Sequence, residues 1–426
     1  MRGATAVKIF GTITLQEVIV LCLTAMLFVG QPFGNLSQIA FISLAVAGVL
    51  VFHNDKSIAR SIGIKQIGIV VLLLGLPGVF SLLSTVNSGE TTKFAGFLPV
   101  FFFAGVTIFS LCMNYKLLDV LVTIIAITSV VWVLDSIVQY FTGNDLLGNP
   151  MVATVRVSGP FSNTHLGMLL TVTLPITLKW LARFGWTCQI VYILVLAFTL
   201  FFTGVRTDIL TFILSIFVFY VFYIRTTCGR LIFISCFVPM LVFVGWVGIT
   251  NSAIAKARFE TTTAIFQQGD FRNNLNRALS GRIEIWEASW SMFNEEPITG
   301  IGANSFQEAY QSHKPDSEMG NEVLLVNDAY HVHHVWIGIL AETGMVGFFG
   351  LVGAIAFLVF LTCKSRGGFN LYTYPWMLSF LLIINPFNTM PPLFKLWWVP
   401  IVLLVIVVHL VELHRGDRTV LQRAEH

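Results

Sequence analysis

Twelve stretches of this chain are apolar for long enough to cross a lipid bilayer, and that limits the fold before any motif is read. A helix needs about 20 apolar residues to span hydrocarbon, and its backbone polar groups must be satisfied within the segment. The stretches run approximately over 13–31, 34–52, 66–84, 94–112, 117–140, 163–181, 188–204, 208–224, 231–249, 333–361, 371–389 and 396–413. Only 11% of residues are charged and the mean hydropathy is +0.80, whereas a soluble domain is about one-quarter charged. The expectation is an all-α polytopic membrane protein with about twelve transmembrane helices. The first apolar run leads straight into a second and reads as a retained helix, not a cleaved signal.

Basic residues orient such a chain, because lysine and arginine concentrate in short cytoplasmic loops. With the N-terminus inside and strict alternation, fifteen basic residues fall inside, among them Lys56, Arg60, Lys65, Lys179, Arg183 and Arg225. The short outside loops hold only Lys93, Arg156, Arg206 and Lys395. Both termini are therefore expected in the cytoplasm. The chain divides into nine helices over 1–249, a long outside loop over 250–332, three helices over 333–413 and a cytoplasmic tail over 414–426. The six cysteines lie in apolar runs or their basic flanks, so no disulfide is expected in the long loop, and their spacing matches no zinc site.

The long loop carries apolar residues at helical spacing. Ile283, Trp286, Trp290 and Phe293 fall on one helical face, which would lie on the membrane surface or cap the bundle. Ser280 is a candidate N-cap, and Pro297, Gly300 and Gly302 mark the exit into a loop. Glu295 and Glu296 read as solvation of the helix end.

Where this loop meets the tenth apolar run, three of the nine histidines occur within four residues: His331, His333 and His334. Histidine exchanges a proton near neutral pH, and here it stands where water meets membrane. The alternative for each is a hydrogen-bonded interfacial residue. A metal site on His331 and His333 lacks an acidic cluster to complete its shell. Asp328 is the nearest carboxylate and a candidate orienting partner. Gly344, Gly347, Gly350 and Gly353 recur every third residue, which suits close helix approach. From His333 to Cys363 a continuous helix would measure roughly 46 Å, more than the hydrocarbon needs, and would lift His333 into a wet vestibule.

Three arginines share the same outer face. Arg206 ends the seventh run, with Asp208 two residues on; the other reading makes it an interfacial anchor or the partner of Asp208. Arg156 precedes the sixth run, where loop solubility is the alternative. Arg282 stands in the first turn of the loop helix, a position unfavourable for a cation unless an anion shares the site; a solvated charge is the alternative. Guanidinium forks suit phosphate oxygens better than lysine does. The chain has no Asp-x-Asp pair, dinucleotide fingerprint, P-loop or serine-hydrolase signature.

These blocks resemble the bacterial O-antigen ligase and polymerase superfamily. The matching segments are Gly159-Pro-Phe-Ser-Asn163, Thr203-Gly-Val-Arg206, and Ser280-Gly-Arg-Ile-Glu-Ile-Trp286 continuing to Glu296-Pro-Ile-Thr-Gly-Ile-Gly302. The fourth is His333 with Gly344 and Gly347, which follows the ligase pattern of His, a polar residue, nine residues, Gly, two residues, Gly. Together they cover roughly 150–350. Two positions depart from the pattern. The residue after the key histidine is usually Asn, Ser or Gln and here is His334; the usual Asn-Pro-Asn is Asn163-Thr-His165, so His165 inherits no role.

The resemblance implies a GT-C-like enzyme of the bacterial inner membrane with its active site on the periplasmic face. Its donor would be O-antigen carried on undecaprenyl pyrophosphate and its acceptor a sugar hydroxyl of lipid A–core. Transfer would invert the anomeric centre and need no metal, ATP or other cofactor. His333 becomes the general base, and Arg206, Arg282 and Arg156 the pyrophosphate binders. Membrane lipids surround it, and no nucleic acid is expected. The rivals are an O-antigen polymerase or a protein O-oligosaccharyltransferase using the same donor, and a non-catalytic lipid-linked sugar transporter. A transporter should carry charges through both halves of the membrane interior, whereas here the candidates collect on one face.

Overall fold

The computed structural model describes residues 13–152, 156–224, 226–251, 260, 263, 271–279, 281–314, 331–365, 368, 370, 372–386 and 393–424. The helices in chain order are α1 (Leu15–Val29), α2 (Leu36–Asn54), α3 (Lys56–Ala59), α4 (Ile62–Phe80), α5 (Ser88–Cys112), α6 (Tyr115–Thr142), α7 (His165–Leu181) and α8 (Trp186–Thr203). They continue with α9 (Arg206–Tyr223), α10 (Thr227–Asn251), α11 (Phe271–Ala278), α12 (Arg282–Glu295), α13 (Phe306–His313), α14 (Val335–Lys364), α15 (Tyr374–Ile383) and α16 (Val399–Ala424). Among the described residues two isolated β-bridges take the place of any strand.

The protein is an all-α polytopic membrane protein. Nine described helices are long and apolar enough to cross a bilayer, and α1, α15 and the first part of α10 are shorter apolar helices. Together they fall on the twelve apolar runs. Polar residues end those runs: the side chains of Asn87 and Asn114 accept free N–H groups at the starts of α5 and α6. The helix α16 continues to Ala424, beyond the expected end of the last span.

Two spans are more enclosed than the rest, α7 at 78% and α16 at 89% of the apolar window, and the bundle is built around them. The helix α7 packs on α6, α8, α9 and α15, while α16 packs on α5 and α15. At one end of the bundle, Arg415 pairs with Asp119 (3.0 Å) and lies near Glu412 (3.8 Å), and Lys179 lies 3.7 Å from Glu412. That network ties α6, α7 and α16. The opposite end holds the starts of α7, α9, α14 and α16.

The helix α14 is not the continuous rod expected from its length. At Gly344 the backbone takes φ 60°, ψ −156°, a conformation open only to glycine. Gly344 is therefore a break, closely approached by the backbone of Ile298 and Gly300 and not by another helix, while Gly350 and Gly353 do face Leu73 of α4. A break inside a membrane helix frees backbone groups that hydrocarbon cannot satisfy. The segment 297–302 satisfies them. Ile301 and Gly302 N–H donate to the carbonyls of Ala341 and Glu342, each at 3.0 Å. The N–H groups of Met345 and Val346 donate to Pro297 (2.9 Å) and Ile298 (3.2 Å). On its other edge this strap meets the α4–α5 turn: Val86 N–H reaches Ile301 O at 2.8 Å, and Ser84 Oγ reaches Gly300 O at 2.5 Å. The Pro297…Gly300…Gly302 pattern is thus the signature of a strap threaded through the break.

The buried face of α12 also differs from the expected one. Ile285, Ala288, Ser289 and Met292 are buried, in contact with α13 and α14, and Trp290 is 52% exposed. Small residues at the centre of that face let the helices approach. Trp286 packs at the edge of that face, and Trp290 is turned away from it.

Candidate functional site

The histidine segment is held at its neighbours. Trp286 Nε1–H of α12 donates to Val332 O at 3.2 Å, and its ring meets His334 edge-on at 5.6 Å. His334 is the N-cap of α14: its Nδ1 accepts the Ile337 N–H at 3.3 Å. Asn and Ser, usual at this position in the family pattern, are strong N-caps, so the departure at 334 preserves the capping function. With Nδ1 engaged, the neutral ring carries its proton on Nε2. Between these ties, His333 has φ 53°, a left-handed backbone rare for a residue with a side chain and common at functional sites. Its ring packs on His331, with centroids 3.9 Å apart. Asp328 lies outside the described residues.

Among the described residues the charges that act on His331 are positive. Burial is the main reason His331 is pushed down to about 3, and the charges of His333, Lys395, His165 and Arg282 act in the same direction. Burial also lowers His334. The chain therefore brings His331 within electrostatic reach of α7 through His165, of α12 through Arg282 and of the 393–398 turn through Lys395.

Two of the three arginines converge. Arg206 begins α9, and its Nη1–H donates to Ala278 O at the end of α11 at 2.9 Å. That bond fixes the guanidinium and leaves most of its five donors unspent. Arg282 begins α12, half-buried, and its pKa is lowered by burial and by the Arg206 charge. Among the described residues neither arginine is ion-paired with a carboxylate. Asp208 is not the partner of Arg206; it is 3% exposed and packs against Gly167 of α7. Two like charges thus act on each other with no carboxylate paired to either among the described residues.

Arg156 is exposed on the bridge pairing with Val152. The next residue, Val157, donates its N–H to Phe202 O at 3.1 Å, which brings this loop to the α8–α9 corner near Arg206.

Other supporting residues were given no site role by the sequence. Asn276, 2% exposed, accepts the Ile283 N–H at 3.1 Å and donates to Glu284 at 2.9 Å. It serves the start of α12, where Ser280 was expected and lies outside the described residues. Glu295 is bonded to His313 Nε2 at 2.5 Å and is not simply solvated. His165 stacks on Trp397 at 4.1 Å and 10°. Glu342, 1% exposed, accepts the Phe306 N–H at 3.4 Å and so caps α13. Among the described residues no three His, Cys, Asp or Glu side chains gather as a metal-ligand set.

Residues 191–352 match the family model described as O-antigen ligase. The match contains Arg206, Arg282, the strap, the histidine segment and the break at Gly344; Arg156, His165 and Lys395 lie outside it. A stretch of 102 residues is 26% identical to a protein of Haemophilus influenzae described as uncharacterized. That similarity covers 24% of this chain and 25% of the relative's length.

Proposed function

We propose that this chain, a member of the O-antigen ligase superfamily by its match over residues 191–352, transfers O-antigen polysaccharide from undecaprenyl pyrophosphate to a sugar hydroxyl of lipid A–core. The reaction takes place at the periplasmic face of the bacterial inner membrane. The observation that carries this reading is the convergence of Arg206 and Arg282, without carboxylate partners among the described residues, on the face that presents His331, His333 and His334.

The donor pyrophosphate lies against Arg206 and Arg282, with Arg156 at the edge. Guanidinium donors neutralise the charge that grows on the leaving oxygen, so the chemistry needs no metal. The acceptor oxygen attacks the anomeric carbon from the face opposite the phosphate. As the new C–O bond forms, the C–O bond to phosphate breaks and its electron pair leaves with undecaprenyl pyrophosphate, inverting the centre. The hydroxyl proton passes to His333. His334 holds the helix start instead, because its Nδ1 is engaged in the cap. Much of the acceleration comes from holding two lipid-anchored substrates in register.

The test measures transfer and donor binding side by side. His333→Ala should lose transfer by about a hundred- to ten-thousandfold and still bind undecaprenyl pyrophosphate. His334→Asn, which restores the family's usual cap, should stay close to wild type. Arg206→Lys and Arg282→Lys should weaken donor binding, because the fork is lost while the charge remains. Full transfer by His333→Ala, or loss in His334→Asn alone, would overturn the assignment of the base.

A further inference from the structure

We propose that Lys395 is a further phosphate-binding cation of the donor site, delivered by the turn that leads into α16. This inference rests on the donor reading above and adds a residue that lies outside the family match.

The turn is built to hold this side chain in place. Lys395 O accepts the N–H groups of Trp398 (2.9 Å) and Val399 (3.1 Å), which closes the turn at the head of α16. Phe394 O accepts Asn304 Nδ2–H at 3.0 Å, and the Phe394 ring meets Phe94 edge-on at 4.9 Å. On the other side, Trp397 stacks on His165 and its carbonyl accepts Gln31 Nε2–H at 3.4 Å. The backbone of Lys395 is therefore pinned from the strap side and from the start of α7. Its side chain is half-buried, and its charge is felt at His331 and at Glu342.

No carboxylate lies within ion-pair distance of Lys395 among the described residues. Glu342, which feels the Lys395 charge, turns Oε1 to the Phe306 N–H at the start of α13. Lys395 thus joins Arg206 and Arg282 as a cation without a salt bridge among the described residues, and its charge, like that of Arg282, reaches His331. Arg206 and Arg282 act on each other as like charges, Arg282 and Lys395 both act on His331, and a dianionic pyrophosphate relieves that excess of positive charge. The compact ammonium acts as a point charge on phosphate, complementing the two planar forks.

The experiment titrates undecaprenyl pyrophosphate onto the purified full chain in nanodiscs, read by tryptophan fluorescence, with thermal unfolding recorded for each variant. Lys395→Gln should weaken binding by about ten- to a hundredfold, as for the loss of one charge-assisted contact. Lys395→Arg should bind within a few-fold of wild type, and both should unfold near the wild-type temperature. If Lys395→Gln binds normally while Arg282→Lys does not, the lysine assignment is overturned and the donor reading stands. If neither variant weakens binding, both are overturned. If Lys395→Gln weakens binding only together with a fall in unfolding temperature that Lys395→Arg does not restore, Lys395 is structural and the proposal is overturned.

Discussion

Replacing Gly300 by alanine should disconnect the strap from the broken helix. Gly300 has φ 69°, which costs a residue with a side chain about 1–2 kcal/mol. Its new Cβ would also overlap the peptide joining Glu342 to Thr343. Backbone cannot turn aside as a flexible side chain can, so the strap must lift. Lifting breaks the 3.0 Å bonds from Ile301 and Gly302 to Ala341 and Glu342. Each leaves buried polar groups unsatisfied at about 1–3 kcal/mol, giving a total of about 3–8 kcal/mol from both effects. That is comparable with the roughly 5–15 kcal/mol that stabilises a typical domain. Gly143→Ala is the control, since φ there is 84° and no atom lies within 4 Å of the new Cβ. The assay is thermal unfolding in detergent together with hydrogen exchange at the amides of 301, 302, 345 and 346. Gly300→Ala should unfold well below Gly143→Ala and exchange rapidly at all four amides. Equal unfolding temperatures with protected amides would refute the role given to the strap.

Acidification supplies another prediction. His331 in the folded protein is pushed below its ordinary value to about 3, so below about pH 6.5 the unfolded chain takes up a proton that the folded chain refuses. Stability should therefore fall as pH drops from 7 toward 3, and His331→Gln should flatten that fall; parallel profiles for the two proteins in a thermal-unfolding series would dismiss it. Bound undecaprenyl pyrophosphate should flatten it as well, because an anion favours the imidazolium. Topology is open to labelling in whole cells: a cysteine introduced at Asn273 should react with an impermeant maleimide from the periplasm, and one at Gly368 should not. The reverse pattern would invert the orientation taken from the basic residues.

The spans were legible in the sequence because hydropathy and length need no knowledge of neighbours. The convergence of Arg206 with Arg282 was legible only as a shared face, since their juxtaposition depends on α11 closing onto α9 through Ala278. The break at Gly344 was hidden by its company. One glycine in a series at every third position reads as packing, and only the partner strap reveals the one that turns. The face of α12 was misread because large aromatics draw attention, whereas close approach to α14 selects Ala288 and Ser289. Lys395 carried no signal at all. It is one basic residue in a short loop, and its turn is brought to the start of α7 by the stacking of Trp397 on His165, more than two hundred positions earlier in the chain.

The strap also determines the order in which this protein can be built. Membrane helices insert singly and associate afterwards, but the strap needs three distant pieces of chain: the turn after α4, the segment 297–302 itself, and the break in α14. Ser84 and Gly300 are 216 positions apart, so the site end has no local nucleus and closes only after α14 has been synthesised. Contacts of such separation form slowly. The family-matched stretch 191–352 lacks the α4–α5 turn and the Phe394 carbonyl that holds Asn304. Expressed alone, that stretch should insert its helices yet leave the strap unanchored, so the family-matched stretch is a recognisable portion of the protein without being a separable one.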